Sequence, residues 1–237
     1  TNNVIIDSES AKNVGGIVGL NANNKIEYCY NKSNIKGAKN VGGIAGVTSG
    51  TNIDHCGNDG EITGNSNTMW GESLEEVKAS DLYLFYNITG ANSTGTGGIV
   101  GKIYHTTVTC SYNKGKVTCN YNGGGIVGVN SNGVIAYCFN DASINKNEFG
   151  ASVVRNRLGG ICGIGGGVTI LQCYNKGDIT GESSLKNTPL GSPTGGIIGF
   201  LIDDGSFIAS ASKELDFKYV KIDVKYLTVE SYHNTIA

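Results

Sequence analysis

Seven cysteines, three histidines and a thin scatter of acids are the side chains in this 237-residue sequence whose types suit chemistry. Cys29, Cys56, Cys138 and Cys173 recur at one place in a repeat, and Ser111 holds that place once. A metal or redox array needs thiolates beside positive charge, and no such neighbours recur. The column reads instead as buried small side chains, because free cysteine behaves as a small hydrophobe. Cys110, Cys119 and Cys162 lie off it. A disulfide between some pair stays open, since no sequence rule fixes one. No Cys-x-x-Cys pair is present, which argues against a zinc knuckle or redox motif.

The other chemistry-bearing residues are as sparse. Cleavage of a glycosidic bond needs two carboxylates at a set separation. Asp54, Asp59 and Glu61 fall near one turn of the repeat, and Asp203-Asp204 near its last copy. Both groups read as solvated turn residues. Arg155 and Arg157, the only arginines, sit in an insertion that reads as a surface loop, where such a pair can hold a carboxylate or sulfate. Gly165-Gly166-Gly167 lacks the Asp of calcium-binding solenoids and the Lys-Ser/Thr of a phosphate loop. No catalytic, metal-ligating or cofactor-binding residue is therefore assigned, no cofactor is expected, and the ligand-binding residues stay unknown. A net charge of −2 without a basic stripe argues against nucleic acid. No apolar run nears the ~18 residues that membrane insertion needs.

The elements that would position any site come from the repeat. Gly15-Gly16-Ile17-Val18-Gly19 recurs at 42–46, 97–101, 124–128, 159–163 and 195–199. Counting from the second glycine, offset ten holds Ile26, Ile53, Val108, Ile135 and Ile170. Offset thirteen is the Cys/Ser column. Offset fourteen holds Tyr30, Gly57, Tyr112, Phe139 and Tyr174, and offset fifteen is asparagine throughout, at Asn31, Asn58, Asn113, Asn140 and Asn175. Offset nineteen holds Ile35, Ile62, Val117, Ile144 and Ile179. The double-length gap before Gly97 is expected to hide a degenerate copy, with Glu72 in place of the glycine and Leu82, Phe85, Tyr86 and Asn87 in the columns. Residues 72–79 there read as a short helix.

Runs this short, separated by Gly, Asn and Asp, bury nothing alone. Stacked at the ~4.8 Å strand spacing, they pair every backbone group and build a continuous core. The fold expected is all-β: a right-handed parallel β-helix of about six to seven coils, with a short helical insertion and an atypical C-terminal strand cap. In it the Ile columns fill the core, and Asn at a corner accepts left-handed backbone and passes amide bonds along a ladder. The paired glycines permit close backbone approach or positive φ.

The block at 159–163, followed by Cys173-Tyr174-Asn175-Lys176-Gly177-Asp178-Ile179-Thr180-Gly181, resembles the GLUG motif. The resemblance covers roughly residues 13–200. It implies a secreted or wall-attached bacterial protein, since such repeats occur in large adhesins and in non-catalytic parts of IgA-specific metallopeptidases. The catalytic motif of those peptidases, His-Glu-x-x-His, is not here: His55, His105 and His233 open none.

The organisation expected is a lead-in or cap at 1–12, repeats over 13–200 with insertions at 65–80, 145–158 and 182–194, and a cap or the start of a next domain at 201–237. The opening residues show no signal-peptide pattern, as in a mature protein or an excised piece. Insertions in a solenoid often form its binding face, so Met69-Trp70 is a candidate anchor if exposed, or packing if buried. The function expected is a non-catalytic adhesion or spacer module within a larger surface protein, its partner a host surface protein or glycan. A carbohydrate-active β-helix enzyme and a pure structural stalk are the alternatives.

Overall fold

The computed structural model describes residues 1–65, 93–147, 156–181, 193–202 and 235–236. Among these the chain is all-β, without helix, and its strands pair in parallel. Val18–Ala22, Ala45–Ser49, Val100–Tyr104, Val127–Ser131, Cys162–Gly166 and Ile198–Ile202 form one six-stranded sheet. The offset-ten residues pair as Ile26↔Ile53, Ile53↔Val108, Val108↔Ile135 and Ile135↔Ile170. The asparagines lie in a five-stranded sheet, rung on rung. The repeat columns are thus physical ladders in a solenoid-like stack.

The coils on either side of the double-length gap are direct neighbours in this stack. Ala45 pairs with Val100, Gly57 with Tyr112, and Ile62 with Val117. The coil before the long gap is hydrogen-bonded directly to the coil after it, so no edge remains for another coil between them. Residues 66–92, with the expected helix and Trp70, lie outside the described residues, as do 148–155, 182–192 and the expected tail strands at 215–229. Residues 235–236 rejoin the ladders, Ile236 opposite Ile170. At the other end Asn2 bridges Asn31, and Ile6 pairs with Ile35. The lead-in therefore carries the repeat columns as well.

The apolar interior is divided rather than single. One compartment gathers Ile44, Ile99, Ile126 and Ile161 of the glycine blocks, the offset-ten column and Cys56, Cys138 and Cys162, while Ile17 of the first block is exposed. The offset-nineteen column packs elsewhere. Ile35 and Ile62 meet Val14 and Val41, while Val117 and Ile144 meet Cys119 and Leu158. The chain passes between compartments at two points, the glycine pair and the asparagine, and these touch. A Cβ on Gly98 would lie 2.3 Å from Asn113 Cγ and 2.1 Å from the Gly125 carbonyl oxygen. Close approach, not positive φ, is what the paired glycines supply there.

Asn113 is fully buried and makes four hydrogen bonds. Its Nδ2 donates to Asn140 Oδ1 at 2.7 Å and to the Gly115 carbonyl at 2.8 Å. Its Oδ1 accepts from Asn58 Nδ2 at 2.7 Å and from the Gly115 amide at 3.2 Å. The same pattern runs from Asn2 through Asn31, Asn58 and Asn140 to Asn175.

These asparagines are not left-handed, against the expectation for the column. The left-handed residues stand three places earlier, at Tyr28, His55, Cys110, Tyr137 and Gln172, with φ from 47° to 56°. A second such column, at offset seven, is Asn23, Gly50, His105, Asn132 and Gly167. Bulky residues adopt this conformation only where the surroundings over-determine it. Here the next rung does so: the amides of Tyr28, His55, Cys110 and Tyr137 still donate to carbonyls one coil on, at 3.0–3.2 Å.

Asn113→Ala strands Asn58 Nδ2 and Asn140 Oδ1 in a buried site and should lower stability by about 2–5 kcal/mol, read from the urea midpoint. Gly98→Ala should cost at least about 2 kcal/mol by overpacking. Gly196→Ala, where a Cβ meets nothing within 4 Å, should stay within about 0.5 kcal/mol in the same titration.

Candidate functional site

The stack turns two columns of chemistry outward. On the asparagine-bearing sheet, alternation along the strand sends the residues beside the buried asparagines to the surface. Rings of Tyr112 and Phe139 stack at 5.5 Å between centroids, and those of Phe139 and Tyr174 at 5.2 Å. Gly57 interrupts the column, and the Tyr112 ring occupies the space a Cβ would need. Lys114 lies 5.2 Å from the Tyr112 ring centre and Lys176 lies 5.3 Å from that of Tyr174, within cation–π range.

Those lysines belong to a column of exposed residues at offset sixteen: Lys32, Asp59, Lys114, Asp141 and Lys176. Its register follows from backbone bonds to the asparagine of the neighbouring coil, as from Lys114 N to Asn58 O and from Asp141 N to Asn113 O. Charge alternates at each rung. Burial raises the Tyr112 hydroxyl above its ordinary value, and the Asp59 carboxylate adds to the rise. Ring stack and charge column together make a flat strip of repeated apolar and polar contacts.

Two buried thiols of the cysteine column are held in the protonated form. Burial pushes the Cys56 thiol up to about 11, and Cys138, against Cys173, is also raised. Off the column, Cys119 is pushed up to about 12 and Cys162 higher still, both by burial. All seven cysteines are free. Cys110 differs from the rest, because its left-handed corner turns it out to solvent.

The three acids of the Asp54–Glu61 stretch are not brought together as a carboxylate pair. Asp54 is engaged at the corner: its Oδ2 lies 2.7 Å from His55 Nδ1, and its Oδ1 accepts from the Thr109 hydroxyl at 2.6 Å. Those bonds, Thr109's first, hold its carboxyl below the ordinary range. Tyr28 stacks on His55 at 5.0 Å. Asp59 joins the charge column, and the Glu61 amide donates to Asn34 Oδ1. Asp203-Asp204, Arg155 and His233 lie outside the described residues.

Arg157 corrects the expected surface loop. It pairs with Asn122 as a rung of the sheet and is 2% exposed. Its guanidinium donates to Asn122 Oδ1 at 3.3 Å and lies 5.5 Å from the Phe200 ring centre. A residue that sequence reasoning passes over is Lys102, 1% exposed, between Val47 and Val129 in register. The signal was there, a lysine in a column otherwise apolar. Its Nζ donates to Ser93 O at 3.1 Å and to Ser93 Oγ at 2.9 Å, and lies 4.8 Å from the Tyr104 ring centre. Burial pulls its ammonium down to about 7.

That shift carries a sign for stability. Unfolded, the lysine keeps its proton to about pH 10.4; folded, it loses it near 7. Between these values the unfolded chain binds more protons, so the group's contribution grows as pH rises through the window and is lost as pH falls towards 7. Relative to Lys102→Met, the parent protein should gain about 3 kcal/mol from pH 7 to pH 9.5, measured by urea unfolding at both values.

Comparison with known proteins adds one positive finding. The GLUG motif matches residues 10–36, a span that runs from the leading strand through the first glycine block, Cys29, Tyr30, Asn31 and Ile35. No curated protein and no solved structure matches the chain. The chain thus carries the GLUG motif at 10–36, and the same columns stack in register through the later coils.

Proposed function

We propose that the chain is a non-catalytic cell-surface module of a bacterium, an adhesin segment or spacer. In this reading it is a right-handed β-helix of about six to seven coils within a larger secreted or wall-attached protein. One observation carries the reading: the ladders keep their register across intervening chain. Ala45 pairs with Val100 and Ile62 with Val117 although 66–92 lie between them in sequence. Asn145 pairs with Thr180, and Leu158 with Thr194, across the two later insertions. A scaffold whose rungs close over inserted segments can carry varied segments at no cost to its core, which is what display requires. The GLUG motif supports the surface setting, and the ring strip beside the charge column supports a second contact face. Stacked aromatic rings offer apolar faces and their polar edges offer hydrogen bonds, a chemistry suited to a host glycan or glycoprotein.

The test is binding of the labelled protein to mucin, immunoglobulin A and matrix proteins, beside a version in which 66–92 are replaced by a short linker and a Phe139→Ala variant. Saturable binding that either change weakens at least tenfold is the expected result. Failure of every version to bind any of these surfaces would leave the stalk as the better description. Turnover of a glycan panel by the parent protein would overturn the non-catalytic reading.

A further inference from the structure

The corner at Asp54, His55 and Cys110 joins three ligand types from two adjacent coils. One ligand atom from each lies within 4.8 Å of the other two. His55 and Cys110 occupy the same left-handed column on neighbouring rungs, with φ of 49° and 47°. The ladder bond from the His55 amide to the Thr109 carbonyl fixes the rungs against each other. Two further contacts hold the ligands in place: Tyr28 stacks on the imidazole, and the Thr109 hydroxyl donates to the carboxylate atom that His55 does not use. Glu27 stands opposite Asp54 one coil back, adding negative charge on that side.

We propose that this corner is a binding site for a divalent transition metal, zinc in the first instance. A thiolate, an imidazole and a carboxylate form a donor set of mixed softness, which suits zinc over magnesium or calcium. Tetrahedral zinc with bonds of 2.0–2.3 Å sets its ligand atoms about 3.5 Å apart. His55 and Cys110 are exposed and Asp54 is half-buried, so the three side chains close to that spacing by rotation on a fixed backbone. The metal takes the place of the proton between His55 Nδ1 and Asp54 Oδ2. That imidazole proton is carried on Nε2 in the bound tautomer, the Cys110 thiol proton leaves to solvent, and the thiolate forms the third bond. The fourth position faces water and can take a donor from a partner. Among the cysteines at offset twelve or thirteen, Cys110 alone has a histidine beside it in its own column, so the site belongs to one corner and not to every repeat.

Titration of the reduced protein with Co²⁺, followed by competition with Zn²⁺, tests the assignment. One equivalent of Co²⁺ should bring a near-ultraviolet thiolate-to-cobalt absorption band. Cys110→Ser should abolish the band, while Cys29→Ser leaves it unchanged. His55→Asn, which keeps a residue tolerant of the left-handed corner, should weaken binding at least tenfold. Zn²⁺ should also protect Cys110 from alkylation in the parent protein and lose that protection in His55→Asn. A band that survives Cys110→Ser, an affinity indifferent to His55→Asn, or the absence of any band at millimolar Co²⁺ would each overturn the site. The circular dichroism of each variant, matched to the parent, keeps a folding failure from passing as loss of a ligand.

Discussion

The contact between the second glycine of the first five blocks and the asparagine of the same coil is the constraint on which the architecture depends. It is a packing of bare backbone against a buried amide, as Gly98 against Asn113 shows. Any side chain at the glycine would force the coil apart. Any shorter residue at the asparagine would leave buried groups unpaired on both neighbouring rungs. The two requirements are coupled, because the glycine makes room for the amide and the amide satisfies the backbone of the turn that follows. The division of the apolar interior follows from this waist. Ile44, Ile99 and Ile126 lie to one side of it, and Val14, Val41 and Leu158 to the other.

The corners answer a different demand. A coil made mostly of two- to five-residue strands must bend sharply without losing its ladder bonds. A single left-handed residue does this while its amide still reaches the next rung. The cost of such a conformation, about 1–2 kcal/mol for a non-glycine residue, is met by stacking, since every rung bends at the same place. The outward turn also decides what the surface can hold. Tyr28, His55, Cys110 and Tyr137 are consecutive rungs of one edge, so residues 27 or 55 positions apart in sequence become nearest neighbours.

Much of this was legible in the sequence, and the residues show why. The offset columns at Ile26, Cys29, Asn31 and Ile35 repeat at fixed distances, and a parallel stack has no other way to satisfy such a pattern. What stayed hidden fell into three kinds. Left-handed corners carry no common residue type: Tyr, His, Cys and Gln occupy one column, so composition gave no signal. Arg157 looked like loop because the insertion before it has no repeat pattern, yet its own register with Asn122 makes it a rung. The group at Asp54, His55 and Cys110 needs two coils to assemble, and a long gap separates their sequences. Aligning offset eleven and twelve across the coils would have put His55 next to Cys110. Asparagine suits both a ladder and a corner, and only the neighbouring chain decides that the offset-fifteen column is a ladder alone.

The alternation of Lys32, Asp59, Lys114, Asp141 and Lys176 has a consequence for how the chain finds its register. Each coil resembles the next so closely that pairing coil one with coil three, skipping the second, would satisfy most of the apolar columns. The charges do not share that one-coil period; theirs is two. A skipped coil would set Lys32 on Lys114, or Asp59 on Asp141, at the ~4.8 Å rung spacing, at a cost of about 1 kcal/mol per pair even in water. The correct neighbour sets lysine on aspartate. The surface column thus favours the one-coil neighbour over the two-coil one, a preference the nearly uniform apolar columns do not supply.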